Sequence, residues 1–446
     1  MPAVSVLMYV KNGMPYFERA IRSVVNQTLS DIEVLVIDGG STDGTIELVQ
    51  EYECKDERVR LLRCDVGSVG AQFNLGLREA KGEYIGIVES DDYILPEMYE
   101  KEYWCAKEVD CDVLRADNYI FFELNGEEVV IRTAVSHKIE NYGRILSAEN
   151  EAYKIFIGGS YWTGIYKRDF LINNSIWENE TKGAAYQDFG FLFLTSALAK
   201  SVYFMKEAFY CYRKDNLLSS CNSPRSLNLV ETEYQFIKEN LIQRGLWEKY
   251  KKYYYLWKIR SERWFYNNLQ TGDKERYLAN AYEGIYADLQ ECDIPDSEWN
   301  QKERKFICAI KDSLSEVSKY LKKEDERWNI ACESLMKLKD EDIYIFGAGN
   351  LGEIIHKYLL SKDIKVKAYL DNNSKMWGME KSNIKIISPH EISQTRDAII
   401  IVCSENYAGE ITEQLRNDHI EDERIIVCND MDACVKFFMK MKESSV

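Results

Sequence analysis

Short apolar runs alternate with amphipathic stretches through the first half of the chain, and this alternation limits the fold more than any other feature. The apolar runs are rich in β-branched residues and have the length of strands, whereas the stretches between them carry helical periodicity. The predicted strands are Val4–Val10, Glu33–Ile37, Val59–Leu62 and Tyr84–Val88, and the predicted helices are Pro15–Asn26, Thr45–Tyr52 and Ala71–Ala80. Such alternation predicts βαβ units and a mainly parallel sheet.

The pattern changes twice further along the chain. Between about residues 223 and 338 the strand alternation disappears, and long amphipathic stretches dense in Tyr, Trp, Lys and Glu predict a helical bundle. Short apolar runs then return, and they predict strands at Asp342–Phe346, Val366–Leu370 and Ala398–Cys403. We therefore expect an α/β protein in three parts, residues 1–222, 223–338 and 339–446.

Composition narrows the class of protein. The net charge of −17 over 446 residues disfavours a nucleic-acid partner. The 12 cysteines form no CxxC pair and the 4 histidines lie far apart, which predicts reduced thiols and no histidine metal cluster. No apolar run approaches the roughly 18 residues of a spanning helix, and MPAVSVLMYV lacks the features of a signal peptide. These features predict a cytoplasmic protein.

Four polar residues, Glu89-Ser90-Asp91-Asp92, follow the apolar run Tyr84–Val88. A strand of a parallel sheet delivers such residues to the crevice where ligands bind. Carboxylates crowded there repel one another unless a cation takes up their charge. Oxygen-only ligands suit Mg²⁺ or Mn²⁺, ions that usually arrive with substrate phosphates. The sequence therefore predicts a metal–diphosphate site, and Pro96 is expected in the first turn of the helix after it.

A second specialised turn, IDGGSTDG, spans residues 37–44. Two glycines let the backbone turn tightly, and Ser41, Thr42 and Asp43 are N-cap residue types ahead of a helix that is expected to begin near Thr45. The N–H groups of that helix can face a nucleotide or a phosphate. The alternative is a capped β–α turn without a ligand. The interpretation as a ligand-binding loop is favoured because this turn and the acidic tetrad are expected at the same edge of the sheet.

Two long segments carry a family resemblance: VSVLMYVKNGMPYFERAIRSVVNQTLSDIEVLVIDGGSTDGT and NLGLREAKGEYIGIVESDD. Together they resemble the family 2 glycosyltransferases of the GT-A fold, over about the first 220 residues. The resemblance implies transfer of a sugar from a nucleotide-sugar donor with inversion, assisted by Mn²⁺ or Mg²⁺. It also implies Asp92 as the main metal ligand and Asp91 as a ribose or metal contact. The implied donor-binding residues are Tyr9, Val10, Asn12, Asp38, Gly40, Ser41, Asp43, Glu89 and Asp91.

Some positions depart from the family pattern. Tyr9 stands where a proline is usual, and Lys11 stands where an aromatic residue is frequent. Gly39 replaces the second acid of the turn, which leaves Asp38 or Asp43 to contact the base, and Phe73 replaces an arginine ahead of Asn74. These changes leave the fold prediction intact and leave the identity of the nucleotide open.

The reaction needs a base for the acceptor hydroxyl, and the resemblance points to Asp188 in GAAYQDFGFLF, where Gln187 replaces the first acid of the family's pair. Apolar and aromatic neighbours raise a carboxylate pKa toward a useful range. The alternative role is an N-cap for a helix from Phe189. The resemblance favours the base.

Two further segments supply candidate diphosphate and acceptor contacts. In YCYRKDNLLSS, Arg213 is suited to phosphate oxygens, and Asn216 and Ser219 to hydrogen bonds with donor or acceptor, within a loop of the kind that closes over a site. The alternative is a surface loop anchored by tyrosines. In SYWTGIYKRDFL, Trp162 is a candidate acceptor wall or, alternatively, a core tryptophan.

Near the C-terminus, Gly347, Gly349 and Gly352 form GxGxxG between a predicted strand and helix, with Asp371 about 20 residues later. The segment resembles the Rossmann-like domains appended to bacterial sugar-modifying enzymes. It predicts a module that binds NAD or another nucleotide, or that contacts a partner. No Tyr-x-x-x-Lys set for hydride transfer is evident nearby.

Residues 249–266 alternate cations with Tyr, Trp and Phe. On a helix, such a stretch can lie at a membrane surface and face a lipid-linked acceptor. The alternative, which we favour, is a bundle helix with buried aromatic residues and solvated lysines.

The expected function is therefore transfer of a sugar to a glycan or lipid-linked glycan in bacterial surface polysaccharide or glycolipid synthesis, in the cytoplasm or at the inner face of the cell membrane. Two alternatives stay open. The C-terminal part can act on NAD or a nucleotide sugar, which would make the chain bifunctional, or the chain is a non-catalytic scaffold on a decayed transferase domain.

Overall fold

The computed structural model describes residues 1–124, 126–136, 138–156, 159–216, 227–269, 271–291, 294–339, 341–392, 398–405, 407–431, 433–435 and 437–438. The chain divides into two compact units. The first comprises Met1–Ile120, Arg132–Gln270 and Asp288–Asp293, and the second comprises Phe121–Ile131, Thr271–Ala287 and Ile294–Val446. The three-part division at residues 222 and 338 stays a prediction.

The first unit opens with the predicted βαβ alternation. Its first elements are β1 Val4–Val10, α1 Phe17–Val25, β2 Ile32–Asp38, α2 Thr45–Lys55, β3 Val59–Arg63, α3 Val69–Glu79 and β4 Tyr84–Ile87. β1 pairs in parallel with β2 and β4, and β2 pairs in parallel with β3. The strands β1, β2 and β4 are buried along their whole length, as their apolar sequences require. The predicted elements of this region are confirmed to within a few residues.

The rest of this sheet contains antiparallel pairings. The further elements are β5 Tyr93–Ile94, α4 Met98–Val109, β6 Val113–Leu124, β7 Glu127–Thr133, β8 Ile145–Leu146, α5 Ala148–Ile155, β9 Gly164–Lys167, α6 Arg168–Asn173, α7 Gln187–Leu198 and β10 Val202–Arg213. The strand order is β3-β2-β1-β4-β9-β6-β10-β5, with β7 beside β6 and β8 beside β10. β9 runs antiparallel to β4, and β10 runs antiparallel to β5. β10 therefore brings a distant part of the chain to the residues that follow β4.

Two local predictions at the acidic tetrad and the glycine turn were wrong. Pro96 precedes α4, which begins at Met98, because the two-residue strand β5 first pairs with β10. The N-cap of α2 is Gly44, at φ 96°, a left-handed conformation that glycine adopts readily. Asp43 instead accepts hydrogen bonds from the backbone N–H and hydroxyl of Thr45, at 3.1 and 2.6 Å.

The helical region follows as predicted. It comprises α8 Leu227–Gln243, α9 Trp247–Asn268, α10 Thr271–Glu291, α11 Gln301–Asp312 and α12 Leu314–Lys337. Among the described residues, no helix combines the length and the apolar character needed to cross a membrane.

A second sheet completes the second unit. Its elements are β11 Asp342–Phe346, α13 Asn350–Leu360, β12 Val366–Leu370, β13 Glu380–Lys381, β14 Ile384–Ile387, β15 Ala398–Cys403, α14 Ala408–Asn417 and β16 Ile425–Cys428. The order is β13-β14-β12-β11-β15-β16, and every pairing is parallel except that of β13. The Rossmann-like assignment of this α/β region stays a prediction.

Candidate active site

Three carboxylates that follow β4 lie close enough to share one cation. One oxygen from each of Glu89, Asp91 and Asp92 lies within 4.8 Å of the other two. Asp92 is buried, whereas Glu89 and Asp91 are half-buried. Burial raises the pKa of Glu89 and of Asp92 well above the ordinary range, and the charge of Asp91 adds to both shifts. A bound cation would relieve this crowding.

Asp92 is held by two residues of β10. Its Oδ2 accepts a hydrogen bond from the Tyr210 hydroxyl at 2.7 Å, and its Oδ1 accepts one from the Arg213 backbone N–H at 2.7 Å. The residue is 1% exposed. A carboxylate oxygen has two lone pairs, so these bonds leave capacity for a cation. Tyr210 was not among the predicted site residues; its place in the YCYR segment was the only signal.

Asp91 faces the segment that follows β10. Its Oδ2 accepts a hydrogen bond from Asn216 Nδ2 at 2.8 Å, and its backbone oxygen accepts one from Arg213 Nε at 3.0 Å. The Arg213 guanidinium also pairs with Asp215 at 2.9 Å and lies over the Tyr16 ring at 4.3 Å. The structure therefore brings Arg213 and Asn216 to the acidic group, and their contacts with a diphosphate or an acceptor stay predictions. Ser219 lies outside the described residues.

Trp162 packs against the tyrosines of β10, one of which contacts Asp92. Its ring stacks on Tyr210 at 4.2 Å and on Tyr212 at 5.0 Å between ring centroids, and the residue is 5% exposed. This burial favours the alternative of a core tryptophan over an acceptor wall. Stacking fixes the Tyr210 ring, and the ring in turn holds the hydroxyl that contacts Asp92.

The glycine turn is organised around Asp38. The carboxylate accepts hydrogen bonds from Gly40 N at 2.9 Å, Ser41 N at 3.1 Å and Arg63 Nη1 at 2.9 Å. Burial raises the pKa of Asp38, but these hydrogen bonds outweigh it and hold the pKa below the ordinary value. At 1% exposure, this carboxylate stabilises the turn itself.

The packing around residue 39 explains why a glycine stands there, which the sequence alone did not show. A Cβ at this position would lie 3.1 Å from Gln72 Nε2. That amide donates hydrogen bonds to the backbone oxygens of Val10 at 3.2 Å and Ile37 at 2.6 Å, and so joins the ends of β1 and β2. A side chain on residue 39 would crowd this link.

The two predicted donor loops are tied to each other. Asn12 N donates to Ser41 Oγ at 2.8 Å, and Thr42 N donates to Asn12 Oδ1 at 2.8 Å. Asp43 Oδ2 accepts from Met14 N at 2.9 Å. Burial raises the pKa of Asp43, but its hydrogen bonds outweigh this effect and lower it.

Other members of the donor-binding set lie beside this network. Tyr9 is 7% exposed and stacks on Tyr161, with 6.4 Å between ring centroids, and Val10 is 3% exposed. Gly40 adopts φ 89°, and a Cβ there would meet no atom within 4 Å. The open space at Gly40 suits the close approach of a ligand.

Asp188 lies in the first turn of α7, which begins at Gln187 after Tyr186 as N-cap. The alternative that made Asp188 the N-cap is therefore wrong, because the helix starts one residue before it. Burial raises the pKa of the half-buried Asp188 to about 6, against the lowering effect of the Asp188 and Phe189 backbone N–H groups. Its charge contributes to the raised pKa of Glu89, so the base candidate and the acidic group share one electrostatic environment.

Two acidic residues that the sequence did not single out lie near Asp188. Glu178 is 2% exposed, and neither carboxylate oxygen has a hydrogen-bond partner among the described residues. Glu233, on α8, is 0% exposed. Burial raises the pKa of both carboxyls, and the charge of Asp188 adds to both shifts.

The C-terminal glycine loop has packing roles. Gly347 adopts φ 113°, and a Cβ there would lie 2.3 Å from the Cys403 backbone oxygen; a Cβ on Gly352 would lie 2.1 Å from the Gly347 oxygen. Gly349 has open space around it. Asp371 Oδ2 accepts from the Ala348 backbone N–H at 3.1 Å. Asp371, the predicted ribose contact, therefore stabilises the glycine loop through Ala348. Nucleotide binding at this loop stays a prediction.

Most aromatic side chains of α9 are buried, whereas Trp264 is exposed. The buried ones are Tyr250, Tyr253, Tyr254, Tyr255, Trp257, Phe265 and Tyr266. Lys258 is also buried, and its Nζ lies 3.1 Å from Glu231 and 3.0 Å from Asp288. These contacts favour the bundle helix over the membrane-surface helix, but the prediction of solvated lysines is wrong for Lys258.

Comparisons with known proteins match two regions of the chain. Residues 5–160 match the family model described as Glycosyl transferase family 2, and residues 339–426 match the model described as C2185-like, N-terminal. The chain is 27% identical over 263 residues to the cholesterol galactosyltransferase of Borreliella burgdorferi, covering 56% of this chain and 72% of that protein. It is 28% identical over 236 residues to the glycosyltransferase GlyG of Streptococcus pneumoniae, covering 52% of this chain and 74% of that protein.

The fold has solved counterparts. The structure of S. aureus TarS 1-349 in complex with UDP aligns with a TM-score of 0.50 and 19% identity over 71% of this chain and 89% of that chain. The protein is thus an enzyme of the glycosyltransferase class with a GT-A-type sheet. Its N-terminal region is a family 2 glycosyltransferase domain.

Proposed function

We propose that the protein is an inverting, metal-dependent glycosyltransferase that moves a sugar from a nucleotide-sugar donor to a glycan or glycolipid acceptor. The proposal is supported by the cluster of three carboxylates after β4 and by a further carboxylate, that of Asp188, whose charge affects Glu89. Glu89, Asp91 and Asp92 converge within 4.8 Å, and the charge of Asp188 reaches Glu89 from the start of α7. A cation site and a separate base are the two requirements of this reaction.

The acidic group fits a hard divalent cation. Its three carboxylates offer only oxygen ligands, which Mn²⁺ and Mg²⁺ prefer. Asp91 would present its carboxylate from the half-buried side, while Asp92 would coordinate with the lone pairs left by Tyr210 and Arg213. When bound, the ion would neutralise negative charge on the donor diphosphate.

Asp188 is proposed as the base. A carboxyl with a pKa of about 6 is mostly ionised at neutral pH and still has appreciable basicity. It would accept the proton of the acceptor hydroxyl while that oxygen bonds to the anomeric carbon. The bond from that carbon to the diphosphate oxygen breaks on the opposite face, so the configuration inverts.

The tied loops around Asn12, Ser41 and Asp43 are proposed to bind the nucleoside part of the donor. Asp38 would act through the turn that it stabilises, and Asn12 and Ser41 hold the loops against each other. Arg213 and Asn216 are proposed to contact the diphosphate from the end of β10.

The choice of substrate class rests on the similar proteins. S. aureus TarS 1-349 has been solved in complex with UDP and in complex with UDP-GlcNAc. The similar proteins include a cholesterol galactosyltransferase. We therefore propose a role in polysaccharide or glycolipid synthesis, in the cytoplasm or at the inner face of the cell membrane.

A thermal-shift screen of the full chain with UDP-, GDP- and dTDP-sugars, with and without Mn²⁺, tests this function. We expect one nucleotide class to raise the Tm, and Mn²⁺ to increase that effect. The product of a subsequent transfer assay is then expected to have the inverted anomeric configuration. A protein that keeps its fold but neither binds nor transfers any nucleotide sugar would instead support the non-catalytic scaffold. Adding NAD(H) to the same screen tests the bifunctional alternative.

A further inference from the structure

A buried carboxyl on α8 holds the loop that leads to Asp188. Glu233 Oε1 accepts hydrogen bonds from Asn179 Nδ2 and from the Thr181 hydroxyl, both at 3.1 Å. The residue is 0% exposed. A buried acceptor that satisfies two donors of one loop restricts that loop, because moving it would leave polar groups unpaired.

The restriction reaches the residue before Asp188. The Thr181 hydroxyl, which donates to Glu233, accepts a hydrogen bond from Gln187 Nε2 at 3.1 Å. The same Gln187 nitrogen lies 3.4 Å from the backbone oxygens of Thr181 and Gly183. A chain of hydrogen bonds thus runs from Glu233 through Thr181 to Gln187, the first residue of α7.

Two further contacts hold this part of the structure. Asn74, on α3, donates from Nδ2 to the Glu178 backbone oxygen at 2.9 Å and accepts from the Glu178 N–H at 3.0 Å. Gly190, on α7, lies so close to α8 that a Cβ there would be 2.8 Å from the Phe236 ring. The loop is therefore fixed at its start by α3, and α7 is held against α8.

The charges around Glu233 are compatible with this role. Burial raises the pKa of Glu233 to about 8, the charge of Asp188 adds to the shift, and the hydrogen bonds from Thr181 and Asn179 oppose it. Glu178, in the same loop, has a raised pKa through burial and through the charges of Asp188, Glu233 and Glu89. Burial therefore favours the neutral form of Glu233, which lessens the repulsion between its side chain and the Asp188 carboxylate.

We propose that Glu233 is a positioning residue for Asp188: by holding Asn179 and Thr181 it fixes the loop 178–187 and the first turn of α7. This inference rests on the proposed role of Asp188 as base. Glu233 lies on α8, outside residues 5–160, which match the family model. If Glu233 positions Asp188, the helical region contributes to the geometry of the active site.

Activity measurements on two variants of Glu233 distinguish the effect of the side chain's shape from the effect of its hydrogen-bond acceptor. Glu233→Gln keeps Oε1 as an acceptor and is expected to keep kcat near pH 7. Glu233→Leu removes the acceptor at similar volume, and we expect kcat to fall on the order of 10- to 100-fold because the base is displaced. The KM for the nucleotide sugar found in the screen is expected to change little, because the donor loops are not touched. Glu239→Gln, an exposed change on the same helix, is the control.

Hydrogen exchange tests whether Glu233 fixes the loop 178–187, and it does not require an active enzyme. Backbone amides of residues 178–187 are expected to exchange faster in Glu233→Leu than in wild-type protein, and unchanged in Glu239→Gln. Thr181→Val, which removes the hydroxyl between Glu233 and Gln187, is expected to have the same effect near residue 187. This variant also carries the test if Glu233→Leu does not fold.

The outcomes are distinct. Wild-type exchange rates in residues 178–187 of both Glu233→Leu and Thr181→Val, or wild-type kcat in both, would overturn the proposal. Rescue of kcat by Glu233→Gln supports it, and a Glu233→Gln variant as impaired as Glu233→Leu would contradict it. If wild-type protein transfers no sugar from any donor, the proposed function fails, while the exchange data still decide whether Glu233 fixes the loop.

Discussion

The Tyr210 hydroxyl links both ends of the acidic tetrad: it donates to Asp92 Oδ2 at 2.7 Å and accepts from the Glu89 backbone N–H at 3.0 Å. Tyr210 lies on β10, 118 residues beyond Asp92 in sequence. The geometry of the candidate metal site therefore depends on a strand from a distant part of the domain. Burial, followed by the charge of Asp92, raises the Tyr210 pKa well above its ordinary value, which keeps the hydroxyl protonated as a donor.

Removing this hydroxyl is expected to loosen the acidic site. Tyr210→Phe keeps the ring that stacks on Trp162 but leaves Asp92 and the Glu89 N–H without their shared partner. We expect the free energy of unfolding to fall by about 1–3 kcal/mol, the cost of unpaired buried polar groups. Urea denaturation measures this change. Tyr212→Phe, in the same aromatic stack, is the comparison variant; a wild-type free energy of unfolding in Tyr210→Phe would show that the Tyr210 hydroxyl does not stabilise the site.

The metal assignment predicts different losses at two neighbouring residues. Asp91→Ala and Asp92→Ala are both expected to abolish the Mn²⁺-dependent part of donor binding, measured by calorimetry. Asp92→Ala is also expected to lower the unfolding free energy by about 1–3 kcal/mol, because Tyr210 and the Arg213 N–H lose their acceptor. Asp169→Ala, an exposed acid of α6, is the control. Unchanged donor affinity in Asp92→Ala would remove it from the metal site.

Asp188→Asn is expected to bind donor normally and to lose transfer activity. Asparagine has a similar shape but cannot accept the acceptor's proton, so we expect kcat to fall by on the order of 100-fold or more. Stopped assays of transfer and separate measurements of donor affinity distinguish the two steps. A variant with wild-type kcat would exclude Asp188 as the base.

The wild-type transfer rate is expected to depend on pH through the same carboxyl. Burial raises the pKa of Asp188 to about 6, and only the ionised form accepts a proton. The rate should therefore be low below about pH 6 and should rise to a plateau above it, as measured by the pH profile of kcat. A flat profile through this range would contradict the assignment, since a residue with an ordinary carboxyl pKa would already be ionised.

The raised pKa of Glu233 predicts a pH effect on stability. Its folded pKa of about 8 exceeds the ordinary value of 4.5, so the folded state binds more protons than the unfolded state between these values. The contribution is present below about pH 4.5 and is lost as the pH rises through 8. Glu233→Gln does not titrate, so the stability of the variant relative to wild-type should increase over this window in thermal melts. Parallel curves would mean that Glu233 titrates normally.

Close packing of α7 against α8 is expected to exclude a side chain at Gly190. A Cβ there would lie 2.8 Å from the Phe236 ring, so Gly190→Ala should cost about 1–3 kcal/mol of unfolding free energy through overpacking. Gly284→Ala in α10, where a Cβ would meet no atom beyond its own helix turns within 4 Å, is the control and should be neutral or stabilising by up to about 1 kcal/mol. Equal stability of the two variants in urea denaturation would contradict the close contact.

The sequence allowed the local framework to be predicted. Strand and helix periodicity placed β1 to β4 and α1 to α3 within a few residues, because buried parallel strands have near-continuous apolar sequences. The strand β5 and the start of α4 at Met98 could not be predicted, since pairing with β10 outweighs the local preference of Pro96 for a first helical turn. Likewise, a sequence pattern does not show that the Asp38 carboxylate accepts hydrogen bonds from the backbone of its own turn.

The sequence by itself determined that Glu89, Asp91 and Asp92 come together at the end of one buried strand, because residues adjacent in the chain need no tertiary contact to be neighbours. Only the tertiary structure decided that Tyr210 and Arg213 hold Asp92, and that Glu233 holds the loop before Asp188. These contacts join residues about 50 to 120 positions apart. They form because the antiparallel strand β10 pairs with β5 and the helix α8 packs against α7. Local periodicity carries no information about which distant side chains will come into contact.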